Sequence, residues 1–492
     1  MKRKTKKGLI FIIASIISLL IVFAIYGILF LTEVKSSIKI RGDKFEHIKE
    51  QQSLETIFPQ SEATWSSGDL LKAKEYAIEA GINSAIILYK GKLVAEWGET
   101  DRVSCLHSAR KSILSLLYGI ALDKGFLHLD MTLQELGIDD KSKLTEIEKS
   151  ATIRDLLMCR SGIYLPAEGE VSSMKKLKPE RGSHKPGEYW YYNNWDFNAL
   201  GSILEQQTKI SIAQMINDWL SVPLNFEDHS IEDVYRINWL RNKKTNHQQY
   251  WVYLSTRDMA KIGQLLLDKG KWKGNQIVPE KYIIESTSPL TFTTPNNNSF
   301  YGYSWWVNTP NEIEANGLGG QRIRIYKHLD MVIIMKIFSG SNFLQKASWM
   351  IFGNRVTANE RRTFEELIKK AGNLEVEKRT FIKLITEFKI KEAFEYFHRE
   401  KDEDPEVYMF SENRINSFGH QFMEMGRTDE AILLFEIYKN QYPKSANSYE
   451  GLGEAYVKKG QNELAIKNYE ISFELNPENE NAKQMIKKLK SK

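Results

Sequence analysis

The chain has 492 residues and a formal net charge of +5, and this length predicts two or three domains with ample material for a core. Residues 2–7 contain five Lys or Arg side chains, so the remainder is close to neutral and the composition excludes the basic surface typical of nucleic-acid-binding proteins. Two cysteines, Cys105 and Cys159, cannot make a disulfide framework. One bond between them and two isolated buried thiols are both consistent with the sequence.

The first predicted element is an uncharged apolar segment, residues 9–31, which follows the basic tail of residues 1–8. Its 23 residues suffice to cross a hydrocarbon core about 30 Å thick. No small-x-small cleavage site closes the segment, so an uncleaved transmembrane anchor is predicted. Because basic residues remain in the cytoplasm, we expect a single-pass protein of a bacterial cell membrane, with the N-terminus cytoplasmic and every later domain outside.

Residues 32–64 are polar and mixed in charge, and they are predicted to be a tether before a folded domain of residues 65–370. Two apolar runs around Lys-Gly in Ala85–Trp97 predict a β-hairpin. The hairpin leads to Ser108, which precedes the apolar segment of residues 112–122. That segment is apolar on nearly every side, so we expect a helix in the middle of the domain.

Ser108 and Lys111 are three positions apart, so a helix places them on one face about one turn apart. A serine hydroxyl needs a base, and a lysine can be that base only when it is uncharged, a state that burial favours. The same spacing recurs at Ser36, Ser172 and Ser173, which follow the apolar segment or lie in a polar, basic stretch. The sequence therefore predicts Ser108 as a nucleophile and Lys111 as its base.

Further elements follow along the same domain. Thr152 is predicted to cap a short helix, and Ser255 with Asp258 to cap a longer one. Late strands are expected at residues 301–307, 322–326 and 331–338. β-Strands at both ends with helices between them predict an α+β fold, in which one antiparallel sheet is flanked by helices.

Tyr192 and Asn194 are the next candidates for the site. A tyrosine near both groups is suited to pass the proton to the leaving group, and Asn194 to position the lysine or the substrate carbonyl. The turn Gly317-Leu318-Gly319 is predicted to supply a backbone N–H near Leu318 that forms an oxyanion hole with the N–H of Ser108. Plain core packing of the aromatic residues and a purely conformational use of the glycines are the alternatives.

Five ordered motifs resemble the beta-lactamase-related serine hydrolase family over residues 65–370. They are Ser108-x-x-Lys111, Thr152–Gly162, Pro186–Asn194, Ser255–Asp258 and Tyr301–Trp306. The family includes class C beta-lactamases, D-alanyl-D-alanine carboxypeptidase-type penicillin-binding proteins, and related esterases and amidases. The resemblance implies a beta-lactamase/transpeptidase-like fold, a Ser-Lys-Tyr site, an acyl-enzyme intermediate and a small-molecule or peptide substrate. No metal site and no cofactor are predicted, because no histidine has a partner at ligand spacing.

The third family motif differs in this sequence. The family usually has Lys-Thr-Gly or His-Thr-Gly on a strand, whereas the matching residues are Ala315, Asn316 and Gly317. In beta-lactamases and penicillin-binding enzymes that cation helps to bind a substrate carboxylate. We therefore expect an ester or amide substrate, as in the esterase and 6-aminohexanoate-dimer hydrolase branch, with a penicillin-binding or D-alanyl carboxypeptidase-like enzyme as the alternative. Arg322 and Arg324 are candidates to replace the missing charge.

Residues 375–492 are predicted to be helical throughout and contain an internal repeat. Seven positions recur 34 residues later, namely Phe418-Gly419, Phe422, Gly426, Ala431, Phe435 and Pro443 as Leu452-Gly453, Tyr456, Gly460, Ala465, Tyr469 and Pro477. This pattern resembles the tetratricopeptide repeat. A degenerate unit is expected at Ala393, Phe397 and Pro405, and a capping helix at residues 481–490. Such repeats favour a protein partner, and an inert hydrolase fold that only carries binding repeats is a further alternative.

Overall fold

The computed structural model describes residues 65–236, 245–293, 299–309, 311–338, 358–374, 384–385, 389–400 and 412–491. All of these ranges belong to one compact unit. The predicted anchor and tether lie outside the described residues. Within the described ranges, no helix combines the length and the apolar character needed to cross a membrane.

The strands within these ranges are short, and the paired strands run antiparallel to each other. In chain order they are β1 (Ser84–Tyr89), β2 (Lys92–Gly98), β3 (Ser104–Cys105), β4 (Val234–Arg236), β5 (Tyr250–Leu254), β6 (Lys271–Trp272), β7 (Asn275–Gln276), β8 (Thr291–Phe292), β9 (Phe300–Tyr301), β10 (Trp306–Thr309), β11 (Glu312–Asn316), β12 (Arg322–Tyr326) and β13 (Met331–Lys336). The main sheet has the order β2-β1-β13-β12-β11-β10-β9-β8, and β3-β5-β4 and β6-β7 form two small sheets.

One helix precedes the first strand, and the others lie between the early and late strands or after them. They are α1 (Ser67–Glu79), α2 (Arg110–Asp123), α3 (Glu146–Lys149), α4 (Ile153–Leu157), α5 (Ser172–Leu177), α6 (Asn194–Thr208), α7 (Ile212–Ile216), α8 (Val222–Leu224), α9 (Thr256–Leu267), α10 (Glu280–Ser286), α11 (Ala358–Ala371), α12 (Ile390–Glu400), α13 (Glu412–Glu424), α14 (Thr428–Gln441), α15 (Ala446–Lys458), α16 (Asn462–Leu475) and α17 (Glu480–Lys490).

The main sheet is covered on both faces, and alternation along β1 shows how. Ile86 and Leu88 pack into the large core that includes α2, whereas Ile87 packs into a second core with Phe364 of α11. Successive side chains of a strand point to opposite faces, so a strand that is covered on both sides is apolar throughout. The predicted antiparallel sheet with flanking helices is therefore confirmed, and so is the predicted hairpin, as β1 pairs with β2.

Helix α2 lies in the interior of the domain, as its composition predicts. Every residue from Arg110 to Ala121 is buried. Each fully buried Leu or Ile side chain contributes about 1.5–3 kcal/mol, so the packing on all sides strongly constrains this helix. Gly119 permits the close approach of α10, because a Cβ at this position would lie 2.5 Å from Cδ1 of Tyr282. The first turn of α2 is thereby held by the core behind it.

Both predicted helix caps are present, but they differ in detail. Thr152 and Asp155 form a complete capping box at the start of α4. At the start of α9, Ser255 Oγ accepts the N–H of Asp258 at 3.0 Å. The Asp258 carboxylate instead accepts the N–H groups of Glu227 and Asp228, at 2.8 and 3.2 Å. It therefore fixes a distant loop to the helix start.

The prediction of one strand over residues 301–307 was wrong. The segment contains two strands, β9 and β10, which pair with each other through Tyr301 and Trp306. Between them the N–H of Gly302 donates to Trp305 O at 2.9 Å, and Ser304 has a left-handed φ of 60°. The N–H groups of Tyr303 and Ser304 donate to Ser286 O and Leu157 O, both at 2.9 Å, so the turn interrupts the pairing of strands.

The C-terminal region is helical, as predicted. Each of the helices α13 to α16 packs on the next one along the chain. A Cβ at Gly419 would lie 2.4 Å from Phe435, and a Cβ at Gly453, its counterpart in the repeat, would lie 3.0 Å from Tyr469. The small residues of the repeated pattern thus allow helices to approach a buried aromatic side chain.

Candidate active site

Ser108 lies in a short 3₁₀ turn, His107–Ala109, that leads directly into α2. His107 has a left-handed φ of 47°, so the chain turns sharply just before the serine. Ser108 keeps part of its surface exposed, whereas Ala109 and the residues after it are buried. Backbone N–H groups in the first turn of a helix have no intrahelical acceptor, and the N–H of Ser108 belongs to this set.

Lys111 is only 2% exposed and lies between two aromatic rings and an amide. Its Nζ donates to Asn194 Oδ1 at 2.7 Å. The same nitrogen lies 3.9 Å from the centre of the Tyr192 ring and 4.1 Å from that of Phe197. The structure therefore brings the predicted Lys111, Tyr192 and Asn194 together, from α2 and from the start of α6.

Burial lowers the pKa of Lys111 well below its usual value, and the neighbouring Arg110 lowers it further. The Asp196 carboxyl acts in the opposite direction. The aromatic rings also favour the charged form, by about 2 kcal/mol for a desolvated cation–π contact. Removing an ammonium from water costs several kcal/mol, so burial decides the balance. A neutral amine in this position can accept a proton from a hydroxyl.

Tyr192 connects the serine to an aromatic wall. Burial raises the pKa of Tyr192 above its usual value, and it outweighs the influence of Ser108 on the hydroxyl, which lowers the pKa. The Tyr192 ring stacks on Trp306 with centres 5.5 Å apart, and Tyr301 lies edge-on to it at 6.3 Å. Trp306 is partly exposed, whereas Trp305 is fully buried. Trp306 therefore belongs to the wall of the site and Trp305 to the core.

A buried polar network holds the Tyr192–Asn194 segment, and the sequence pattern did not reveal it. Asn193 Oδ1 caps α6 by accepting the N–H of Trp195 at 3.2 Å. Asn193 Nδ2 donates to Asp196 Oδ1 at 2.9 Å, and Ser161 Oγ donates to the same oxygen at 2.6 Å. Burial raises the pKa of Asp196 well above its usual value. The only signal in the sequence was Ser161-Gly162 after α4, which ends the Thr152–Gly162 motif.

Both cysteines are free, which resolves the alternative that the sequence left open. Cys159 is buried close to Lys111, Asn193 and Tyr301, and burial raises the pKa of its thiol. Burial also raises the pKa of Cys105, to about 11. Neither thiol is therefore ionised near neutral pH, and Cys159 acts as a small apolar wall beside the lysine.

The glycine-rich turn of residues 317–320 lies against Leu106, the residue before the 3₁₀ turn that contains Ser108. A Cβ at Gly317 would lie 2.3 Å from the carbonyl oxygen of Leu106, so only glycine permits this approach. The next residue, Leu318, has a side chain that is 46% exposed, and it can act at the site only through its backbone. Gly319 and Gly320 have φ of 91° and 108°, which L side chains rarely adopt. Gly319 thus shapes the turn, and Gly317 allows the contact.

Ala315 lies on β11 with its side chain fully buried in the core that includes α2. Glu314 and Arg324 are opposite each other in the β11–β12 register, so they lie on the other face of the sheet. On that face Arg322 and Arg324 each donate to Glu314 Oε2 at 2.8 Å. The suggestion that either arginine replaces the missing cation was therefore wrong, because strand alternation directs both away from Ser108.

Among the described residues, no three or more His, Cys, Asp or Glu side chains lie close enough together to hold a metal ion. The histidine beside the serine, His107, lies edge-on to Trp251 with ring centres 5.7 Å apart. Burial lowers the pKa of His107 to about 4, so this ring is neutral near pH 7.

The chain is similar to known proteins. Solved structures with a similar fold include a candidate 6-aminohexanoate-dimer hydrolase from Bacillus anthracis, at 18% identity and a TM-score of 0.47, covering 65% of this chain and 89% of that one. Another is a penicillin-binding protein from Bacillus halodurans, at 15% identity and a TM-score of 0.43, covering 56% and 98%. An uncharacterized protein of Alkalihalophilus pseudofirmus is 26% identical over 253 residues, which cover 46% of this chain and 70% of that protein. The beta-lactamase family profile matches residues 81–337, more than half of the chain, and the protein therefore belongs to the beta-lactamase family and is a serine hydrolase.

Proposed function

We propose that the protein is a membrane-anchored hydrolase that acts outside the cytoplasm and cleaves an ester, amide or peptide bond through an acyl-enzyme. Ser108 is the nucleophile, Lys111 its base and Tyr192 the proton relay. The observation that carries this proposal is the buried Lys111 amine, whose lowered pKa and bond to Asn194 suit it to accept a proton. The interaction of the Tyr192 hydroxyl with Ser108 supports the role of the tyrosine.

In the first half of the reaction, Ser108 Oγ attacks the substrate carbonyl carbon and its proton passes to Lys111 Nζ. The N–H groups of Ser108 and Leu318 stabilise the resulting oxyanion. The intermediate then collapses, and Tyr192 donates its proton to the leaving group while it regains one from Lys111. In the second half, a water molecule attacks the acyl carbon and gives a proton to Tyr192, which passes its own proton to Lys111. The intermediate then collapses and releases the acid, while Ser108 Oγ takes the proton back from Lys111 through Tyr192.

The substrate is an ester or amide that does not require a cation beside its scissile bond. Ala315 supports this choice, since it replaces the usual lysine or histidine and its side chain is in the core. The positions of Arg322 and Arg324 on the opposite sheet face support it further. A penicillin-binding or carboxypeptidase activity would need another group for the substrate carboxylate. Covalent labelling by fluorescent penicillin would therefore contradict the ester or amide assignment without contradicting the nucleophile.

The test is labelling with a fluorophosphonate probe, whose phosphorus is attacked by an activated serine with loss of fluoride. The wild-type protein should be labelled at Ser108, and Ser108→Ala and Lys111→Ala should lose labelling. Ser172→Ala is the matched control, because Ser172 has the same spacing to Lys175 but both side chains are exposed on a polar helix. Labelling that survives in Ser108→Ala would refute the assignment.

The location rests on the apolar segment of residues 9–31 and the basic tail before it. Protease added to intact cells should cleave the domain that contains Ser108, and detergent should be needed to release the protein from membranes. Cleavage only after the cells are broken would contradict an external location.

The C-terminal helices form tetratricopeptide-type repeats. The constant offset of 34 residues and the equivalent packing of Gly419 on Phe435 and of Gly453 on Tyr469 support this assignment. A repeat array of this type favours a protein partner. Substituting exposed residues of α15 and α16 should leave labelling of Ser108 unchanged if partner binding is their only role.

A further inference from the structure

One edge strand of the main sheet, β8, is covered by α13, a helix of the C-terminal region. Gln421 of α13 is buried, with 7% of its surface exposed. Its Oε1 accepts the backbone N–H of Phe292 at 2.8 Å and the hydroxyl of Thr291 at 3.2 Å. An edge strand has backbone donors without a neighbouring strand, and this glutamine takes the place of that strand.

Four phenylalanine side chains seal the same contact. Phe292 lies 4.4 Å from Phe418 and 5.0 Å from Phe422, measured between ring centres. Phe300 of β9 lies 5.0 Å from Phe418 and 4.3 Å from Phe292. All four rings are buried. Aromatic pairs stabilise a contact beyond the effect of their buried area, so α13 is firmly attached to this edge.

The contact continues into the candidate active site through one strand. Phe300 and Tyr301 are the two residues of β9, and neighbouring side chains of a strand point to opposite faces. Phe300 therefore contacts α13, while Tyr301 contacts Trp306 at 5.1 Å and Tyr192 at 6.3 Å between ring centres. A strand of two residues is positioned by what packs against it. The helix on one side of β9 thus affects the aromatic wall on the other.

The end of α13 also lies near the segment that carries Tyr192. Glu424 is attracted electrostatically by Arg160 and repelled by Glu188. The carbonyl of Arg160 accepts the N–H of Gly187 at 2.8 Å, and the carbonyl of Cys159 accepts that of Tyr191 at 3.0 Å. Arg160 therefore lies between the end of α13 and the backbone that leads to Tyr192.

We infer that the C-terminal helical region is a structural part of the active site, and that Gln421 is a positioning residue that holds β8 and β9 so that Tyr301 and Trp306 support Tyr192. This inference deepens the proposed function and rests on it for its effect on the rate. It also assigns a role within this chain to α13, in addition to any partner that the later helices bind.

The experiment compares Gln421→Met with Gln484→Met in the full chain. Methionine keeps the length of the side chain but has no strong acceptor for the Phe292 N–H, and Gln484 is exposed on α17. Gln421→Glu retains an acceptor oxygen and serves as the conservative variant. Two quantities are measured, namely hydrogen exchange of residues 289–307 and 189–195, and the rate of fluorophosphonate labelling at saturating and limiting probe.

For Gln421→Met we expect exchange in β8 and β9 to accelerate about tenfold, as for the loss of a buried hydrogen bond, with a smaller acceleration in residues 189–195. The labelling rate at saturating probe should fall about fivefold, with a smaller change in the half-saturating concentration, since the tyrosine is displaced and the probe-binding surface is not. Gln421→Glu should recover most of both quantities, and Gln484→Met should match the wild type.

If hydrogen exchange in residues 289–307 is unchanged in Gln421→Met, the inference is overturned. It is also overturned if exchange is faster in Gln421→Met but its labelling rate equals that of Gln484→Met. If the wild type is not labelled at all, the proposed function fails separately, and exchange in residues 189–195 alone decides whether α13 positions the Tyr192 segment. If Gln421→Met does not fold, Phe422→Leu replaces it. This variant keeps an apolar side chain at the contact, and the same criteria apply.

Discussion

The Nζ atom of Lys111 lies 3.9 Å from the centre of the Tyr192 ring, while the hydroxyl of the same tyrosine interacts with Ser108. One side chain therefore has two separable effects. Its ring excludes water from the lysine amine, and because burial outweighs the attraction between the ring and the ammonium, the ring helps to keep that amine neutral. Its hydroxyl acts on the serine. Substitutions that remove these groups one at a time should separate the two effects.

Tyr192→Phe should keep the acid side of the pH–rate profile where it is in the wild type and lower the labelling rate about 10²- to 10⁴-fold, the usual contribution of an acid or base. Tyr192→Ala should in addition move that acid limb to higher pH. The reason is that water reaches the amine, the pKa of Lys111 rises toward its usual value, and the neutral form is populated only at higher pH. Labelling rates between pH 5 and 10 measure both effects, and an acid limb that does not move in Tyr192→Ala would contradict the shielding role.

Arg110→Met should also move the acid limb to higher pH, by less than Tyr192→Ala. Burial is the first cause of the lowered pKa of Lys111 and the charge of Arg110 the second, so loss of the neighbouring cation raises the pKa only in part. Lys124→Met is the control, because Lys124 is an exposed cation just beyond the far end of the same helix. A limb that moves equally in both variants would indicate a general charge effect.

Gly317→Ala should reduce the labelling rate about 10²- to 10³-fold, the cost of losing one oxyanion donor. The added Cβ would lie 2.3 Å from Leu106 O, so the turn must move away and take the N–H of Leu318 with it. Gly68→Ala is the control, since a Cβ there meets nothing within 4 Å. Labelling by Gly317→Ala at the wild-type rate would show that the turn does not contribute a donor.

Glu314→Gln should lower the free energy of unfolding at pH 7 by about 3–5 kcal/mol, because it leaves two buried arginines without their shared partner. Burial alone would raise the pKa of Glu314, but Arg322 and Arg324 outweigh it and lower the pKa below its usual value. Its contribution to stability is therefore present above the usual glutamate pKa of about 4.3 and is lost as the pH falls through the lowered pKa.

Urea unfolding of the wild type and Glu314→Gln at several pH values measures this contribution. The difference between them should be largest near neutral pH and should shrink toward acid pH, while the exposed control Glu366→Gln should stay within about 0.5 kcal/mol of the wild type. A difference that grows as the pH falls would contradict the sign of the pKa shift.

Local patterns in the sequence predicted much of the fold because they depend on near neighbours. The β1–β2 hairpin follows from two apolar runs around Lys-Gly, the cap of α4 from Thr152 and Asp155, and the burial of α2 from its uniform apolarity. Ser108 and Lys111 were found in the same way, since a spacing of three on a helix places both side chains on one face.

Other features required the tertiary structure. The sequence by itself determined which residue types were present. The face on which Arg322 and Arg324 lie depends on the register of β11 and β12. The interruption between β9 and β10 at Gly302 depends on backbone hydrogen bonds of the turn there. Phe197 contacts Lys111, and Gln421 contacts Phe292, across long separations in the chain. Contacts across such separations are set by how helices and strands pack, and no local periodicity encodes them. For this reason the sequence predicted the chemistry of the site, while the structure decided what surrounds and supports it.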